Sequence, residues 1–264
     1  MKPVFDIKGN ASQTNIVLCE WGETYCCIAA YDDNVKALHS LQYFTFDQYT
    51  DASVGNSIIQ HVSSHVTASA KLVFCSAFPE ALLIPKKIYK SDLRLLESLF
   101  GNSSTEHADQ IGEWGLVNTY SFPKPISDRI AAAFPTSFFY HAYTPALKVY
   151  NGFEASHQVM VHFAPALMRV IVKKEGNLQL AQTYRYAAPL DAVYYLLKIF
   201  EECRLVKDAT LILSGLIEED SALYKELYSF FVNIAFARPI EIPAVADQPA
   251  HYFTSLYNLA ACVS

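Results

Sequence analysis

With 264 residues, 52% of them hydrophobic and 17% charged, the chain carries enough apolar material for one large or two ordinary packed domains and too little charge for a disordered protein. Its net charge of -6 and the lack of any lysine–arginine run provide none of the basic face on which nucleic-acid binding ordinarily depends, short of a local patch made by folding. A polar start (MKPVFDIKGNASQTN), no apolar run of about 18 residues, and six scattered cysteines without a CxxC pair predict a cytoplasmic protein with free thiols, no leader and no membrane span.

Past the polar start, two apolar runs, Ile16 to Cys19 and Tyr25 to Tyr31, flank a turn at Gly22, which is a hairpin signal. ALHSLQYFTFD continues as a third strand, with Leu41, Tyr43 and Thr45 on one face. Val54, Ile58, Val62 and Val66 recur at every fourth residue and predict a helix. KLVFCSAF and EALLIP read as strands. SDLRLLESLF reads as a short helix closed by Gly101, and NSSTEHADQIG as a loop. WGLVNTYSF is a strand, ISDRIAAAF a helix after Pro125, and TSFFYHAY a strand, with a further helix opening at Pro145.

From Ser156 the pattern starts again. His157 to Phe163, Leu167 to Lys173 and Leu178 to Tyr186 are three strands, the last two joined by KKEGN. PLDAVYYLLKIFEEC is a helix with Pro189 at its start and an expected core-facing stripe of Leu190, Val193, Tyr194, Leu197 and Phe200. ATLILSG is apolar without alternation, as a strand covered on both faces is. SALYKELYSFF is an amphipathic helix. AFARPIEIP is an edge strand, because Pro239 has no N–H for a ladder, and QPAHYFTSLYNLAACV is a closing helix. Three strands, a helix and a further strand thus occur twice. A helical crossover sets the fourth strand parallel to one already in the sheet. The expected fold class is α/β in two domains, residues 1–155 and 156–264.

This plan resembles that of a family of uncharacterised bacterial proteins of actin-like ATPase fold. The residues carrying the resemblance are LQLAQTYRYAAPLDAVYYLLKIFEEC and LILSGLIEEDSALYKELYSFF, with ALLIPKKIY in the first half. The fold so implied is two ribonuclease-H-like domains, each with three antiparallel strands followed by alternating helices and strands. The superfamily implies ATP and a divalent cation such as magnesium between the domains. The family itself implies no established activity.

Superfamily members carry an Asp-x-Gly hairpin at the first two strands of each domain. Its Asp organises the metal, and its Gly lets backbone N–H groups approach phosphate. Carried over to this chain, the first hairpin is Glu20-x-Gly22-x-Thr24, with Glu in place of Asp. The extra methylene displaces the carboxylate where catalytic geometry is tight. The second hairpin, VHFAPALMRVIV, has no carboxylate and no glycine, and Pro165 offers no N–H. The adenosine-contacting turn falls at LILSGLIEED, where Ser214 and Gly215 match in position and one glycine replaces a usual pair. Glu218, Glu219 and Asp220 open the next helix. Carboxylates there suit the helix dipole but take the field that a phosphate needs. Glu20, Gly22, Thr24, Ser214 and Gly215 are therefore the candidate nucleotide-binding residues, and each also reads as an ordinary turn residue.

Other constellations carry less. His61 and His65 have the spacing of two metal ligands on one helix face, but no third ligand is evident, so no metal site is expected. Cys26 and Cys27 point to opposite faces of a strand. No serine-hydrolase elbow or phosphate loop is present, and no catalytic residue is named. Seventeen Tyr and seventeen Phe fall mostly on apolar stripes, and an exposed cluster of them would mark a protein-contact surface.

Three functions remain. The first is a binding or scaffold protein, a pseudo-ATPase with a degenerate nucleotide site, no cofactor and a protein partner. The second is a divergent ATPase binding Mg-ATP, with Glu20 as the metal-proximal acid. The third is a binder of another small molecule at the same place. Pro165 and the acidic step after Gly215 favour the first, which is not an enzyme.

Overall fold

The computed structural model describes residues 1–90, 95–101, 106–150, 156–238 and 248–263. They form two compact units, one containing residues 1–150 and 256–263, the other residues 156–238 and 248–255.

The first unit opens with strands β1 (Lys2–Lys8), β2 (Ile16–Trp21), β3 (Tyr25–Asp32) and β4 (Ala37–Thr45), then helix α1 (Ala52–His65) and strand β5 (Lys71–Ser76). β2, β3 and β4 are antiparallel neighbours. The α1 crossover brings β5 back parallel to β2, as a helical connection requires. Asp51 caps α1 by accepting from the Ser53 N–H at 2.8 Å. Val54, Ile58 and Val62 of α1 join Trp21, Phe74 and Phe78 in the core.

Next come β6 (Ala81–Pro85), α2 (Leu95–Phe100), β7 (Glu106–Ile111), β8 (Leu116–Ser121), α3 (Lys124–Ala133), β9 (Phe138–His141) and α4 (Tyr143–Tyr150). β9 pairs parallel to β5. The large sheet therefore runs β1-β4-β3-β2-β5-β9, and β6-β8-β7 form a separate antiparallel sheet.

Two elements depart from the sequence reading. The polar start is strand β1, paired antiparallel to β4 at the sheet's edge. Its side chains are mostly exposed, so Val4, Phe5 and Ile7 mark no buried face, and its lysines and Pro3 are what an open edge tolerates. The segment read as a loop contains β7. Its inward face carries Asp109 and Ile111, and a buried carboxylate hides the alternation that marks a strand.

In the second unit, β10 (His157–Ala164), β11 (Leu167–Lys174) and β12 (Asn177–Arg185) form an antiparallel set. Helix α5 (Pro189–Glu202) then leads to β13 (Thr210–Gly215), which is parallel to β10. Helix α6 (Ala222–Phe230) leads to β14 (Ile234–Phe236), which is parallel to β13. The order β12-β11-β10-β13-β14 repeats β4-β3-β2-β5-β9 strand for strand. Two copies of one ribonuclease-H-like plan make this an actin-like ATPase fold. β14 lies at the sheet edge, as expected, and Pro239 lies outside the described residues.

A short 3-10 turn (Ala250–Phe253) precedes helix α7 (Thr254–Val263). Leu256 onward packs in the first unit, whereas the sequence reading assigned it to the second half. The core side of α5 also differs from expectation. Ala192, Val193, Leu196 and Ile199 face inward, while Leu190 and Tyr194 are each 58% exposed. This helix is apolar on two sides, so its periodicity alone cannot choose between them. Among the described residues, no helix is long and apolar enough to cross a membrane.

Candidate functional site

The first candidate turn lies between β2 and β3. Antiparallel pairing ends at Trp21 opposite Cys26, so Gly22, Glu23 and Thr24 make a tight connection. The Gly22 N–H donates to the Tyr25 carbonyl at 2.9 Å. A Cβ on Gly22 would meet the Tyr25 ring at 2.5 Å. Glycine is needed here because the ring folds back over the turn. The Thr24 carbonyl accepts from the Phe46 N–H at 3.0 Å.

Glu20 is 2% exposed, and its carboxylate accepts from the Tyr25 hydroxyl at 2.5 Å. Trp21 beside it is fully buried. The thiol of Cys27, the strand partner of Glu20, is pushed well up by burial and then by the Glu20 charge. Residues Ser76 to Phe78, at and just past the end of the parallel strand β5, are closed as well. The Ala77 N–H donates to the Trp21 carbonyl at 2.9 Å, and Phe78 is 1% exposed with the Tyr49 ring 5.1 Å away.

In the second unit, Pro165 and Ala166 turn β10 into β11, with Ala166 at φ 60°. Ser214 and Gly215 end β13. The Ser214 hydroxyl donates to the Val161 carbonyl at 3.4 Å, and Nδ1 of His162 lies 3.1 Å from the same oxygen. Gly215 sits at φ 80°, and a Cβ there would meet the Phe163 carbonyl oxygen at 2.0 Å. That same carbonyl accepts from the Leu216 N–H at 2.9 Å, and the Gly215 carbonyl accepts from the Ile217 N–H at 2.9 Å. The glycine lets β13 turn away against the backbone of β10.

The acidic step after this turn is held from above. The Tyr252 hydroxyl donates to Glu218 at 2.5 Å, and Nε2 of His251 donates to the Ile217 carbonyl at 2.7 Å. Burial holds His251 below the ordinary histidine range, so the ring is neutral at pH 7. Burial and Glu218 both raise the Tyr252 phenol. The His251 ring stacks on Phe236 at 4.1 Å. Ser221 caps α6 through the Tyr224 N–H at 3.1 Å.

Within their own units, Glu20, Gly22 and Thr24 come together on one turn, and Ser214 and Gly215 on another. Tyr25, Tyr252 and His251, which hold these turns, escaped sequence reasoning. Tyr25 had a local signal, being the aromatic residue just past the hairpin's turn. Tyr252 had none, standing 34 residues from Glu218. His61 lies 4.6 Å from the Phe44 ring. His65 reaches Ser40 at 3.4 Å and Gln42 at 3.3 Å, and burial holds it below the usual histidine range. Among the described residues, no three His, Cys, Asp or Glu side chains are grouped to hold a metal.

Residues 7–234 match a family model described as "protein of unknown function (DUF3822)", and the chain belongs to that family. No curated protein matches. Among solved structures, the chain is similar to a Bacteroides thetaiotaomicron protein with actin-like ATPase fold and unknown function. Identity is 15%, coverage is 95% of this chain and 97% of that one, and the TM-score is 0.76. It is also similar to a chain of the PilM–PilN type IV pilus biogenesis complex, at 9% identity, coverage of 94% and 98%, and TM-score 0.57. A third likeness is to the ethanolamine utilization protein EutJ from Carboxydothermus hydrogenoformans, at 9% identity, coverage of 96% and 91%, and TM-score 0.50.

Proposed function

We propose that this member of the DUF3822 family is a binding or scaffold protein whose inherited nucleotide site has been closed by its own side chains. The observation that carries the reading is the engagement of the Glu20 carboxylate by Tyr25 at 2.5 Å. A metal-organising acid must present its oxygens to a hydrated cation, and this one is buried against a phenol. The turn amides support the same reading. Gly22, Ala77, Leu216 and Ile217 all donate to backbone carbonyls of their own units, so these N–H groups are spent on the fold. Phosphate recognition by a turn depends on such groups pointing outward.

One protein of similar fold is a chain of the PilM–PilN type IV pilus biogenesis complex. That makes a protein partner compatible with the fold and does not identify one. The divergent ATPase remains the second reading because Glu20-x-Gly22 keeps the spacing of the superfamily's Asp-x-Gly on a true hairpin.

Thermal unfolding with and without millimolar Mg-ATP separates the two. Under the proposed reading the melting temperature stays within about 1 °C. A ligand at 100 times its Kd would add about 2.7 kcal/mol, a shift of several degrees. A saturable shift of that size, lost in Glu20→Ala, would overturn the degenerate-site reading and promote the ATPase one.

A further inference from the structure

We propose that α5 is a self-association surface, through which two copies of this chain pack α5 against α5, antiparallel, about a two-fold axis near Tyr194. Leu190 and Tyr194 are each 58% exposed and Leu197 is 41% exposed. Spacings of four and three residues place all three on one side of the helix across two turns. The opposite side already covers the sheet through Ala192, Val193, Leu196 and Ile199. A helix lying on a sheet needs one apolar side, and α5 has two.

The chemistry of the outer side points to a second copy as its occupant. Leu190 and Leu197 stand four residues before and three after Tyr194, so the stripe reads nearly the same in both directions. A two-fold axis lays Leu190 of one copy over Leu197 of the other, with Tyr194 against Tyr194. Asp191 and Lys198 are seven residues apart, which puts them on the same flank of the stripe. A two-fold axis perpendicular to the helices keeps that flank on one side of the seam. Asp191 of each copy then meets Lys198 of the other, and opposite charges face each other twice.

Parallel packing, about an axis along the helices, would carry the two charged flanks to opposite sides of the seam, where they do not meet. Antiparallel packing also sets each helix's positive end beside its neighbour's negative end. Both charged groups are already placed. Asp191 accepts from the Ala187 and Ala188 N–H groups at 2.9 Å each, and Lys198 donates to Glu201 at 2.9 Å. An unrelated apolar partner would account for the stripe but not for its reversal symmetry or the paired charges. The proposal is independent of what the turns at Gly22 and Gly215 bind.

Sedimentation equilibrium of the full chain from about 1 to 100 µM tests it, a range that brackets typical reversible dimers. The wild-type chain is expected to be a dimer. Tyr194→Glu, at an exposed position that leaves the core intact, should raise the Kd more than about tenfold, as loss of a central contact does. Val232→Glu, at a residue 74% exposed just past α6, should leave it unchanged, and far-UV circular dichroism checks that both variants are folded. Tyr194→Cys should give a covalent dimer under mild oxidation, because the axis passes beside it. A wild-type chain that stays monomeric at about 100 µM overturns the proposal and leaves α5 to some other protein. So does a dimer indifferent to Tyr194→Glu, or a Tyr194→Cys variant that does not cross-link.

Discussion

The Tyr25 hydroxyl donates to the Glu20 carboxylate at 2.5 Å across five residues of one hairpin. The same Tyr25 ring stacks on Tyr43 at 5.5 Å, with the planes 5° apart, and its carbonyl accepts the Gly22 N–H. One residue therefore closes the turn three ways, by sequestering its acid, engaging its amide and covering its glycine. The phenol in Tyr25→Phe is lost while the stacking remains, so this variant isolates the hydrogen bond. It should lower stability by about 1–3 kcal/mol, the usual penalty when a buried charged acceptor loses a donor. Urea unfolding reads this directly. An unchanged midpoint would mean that the bond contributes nothing, and would remove the main support for a sequestered carboxylate.

Asp109 should make the first unit sensitive to pH. It lies on β7 at 8% exposure and accepts from Tyr120 at 3.1 Å, the His141 N–H at 3.0 Å and Thr144 at 2.6 Å. Burial raises its pKa from the usual 3.8 to about 6, although those hydrogen bonds and Lys148 pull the other way. Between the two values the folded chain holds a proton that the unfolded chain has shed. The contribution is therefore complete below about pH 4 and lost as pH rises through about 6, to a ceiling of about 3 kcal/mol. His65, His107 and His251 are depressed by burial and act in the opposite sense, because stability is lost as they protonate in acid. The test is thus a difference: the stability gap between wild type and Asp109→Asn, measured at pH 4 and at pH 7, should favour wild type more at pH 4. A gap independent of pH would rule the shift out.

How far the sequence was readable follows from the range over which each signal acts. The β2–β3 hairpin and the β13 turn are local, and Gly22 and Gly215 mark them. The repeated order of strands and helices is local too, and with it the fold. What stayed hidden depends on partners distant in the chain. Glu218 looks like free charge until Tyr252 is brought onto it. Asp109 makes β7 look like a loop until His141 and Thr144 surround it. Leu190 and Tyr194 look like core because only the sheet decides which apolar side of α5 lies against it. Edge strand β1 has Val4, Phe5 and Ile7 among lysines, Pro3 and Asp6 with most side chains exposed, so no buried face gives it a periodic signature.

The six cysteines should divide into two groups by reactivity. Cys19, Cys26, Cys27 and Cys75 are buried, while Cys203 and Cys262 are half-buried. Burial pushes the thiols of Cys26 and Cys27 well up, and the nucleophile in alkylation is the thiolate. Cys19 and Cys26 lie with their sulfurs 3.6 Å apart, far from the roughly 2.05 Å of a disulfide, and both are buried. Iodoacetamide at neutral pH should modify at most Cys203 and Cys262 in the folded chain, slowly because burial raises both, and all six after denaturation. Intact mass counts the adducts. Rapid native labelling of Cys19 or Cys26 would mean that the first core opens readily.

Gly215 and Gly176 offer a matched test of why the β13 turn needs its glycine. Both have positive φ, 80° and 77°, so any side chain pays the left-handed backbone penalty of about 1–2 kcal/mol. Their surroundings differ. A Cβ at Gly176, in the β11–β12 turn, meets nothing within 4 Å, whereas one at Gly215 meets the Phe163 carbonyl oxygen at 2.0 Å. That oxygen cannot retreat cheaply, because it accepts the Leu216 N–H and belongs to strand β10 paired alongside. Gly176→Ala should therefore cost about 1 kcal/mol, and Gly215→Ala more than about 3 kcal/mol through added strain and a displaced strand end. Equal losses would mean that the turn relaxes freely and that its glycine is there for backbone angle alone. A room-making glycine whose nearest neighbours are backbone atoms of Phe163 serves the packing of β13 on β10. If Gly215→Ala instead left stability near that of Gly176→Ala but abolished a nucleotide-induced shift present in wild type, the close approach would belong to a ligand, and the ATPase reading would replace the scaffold one.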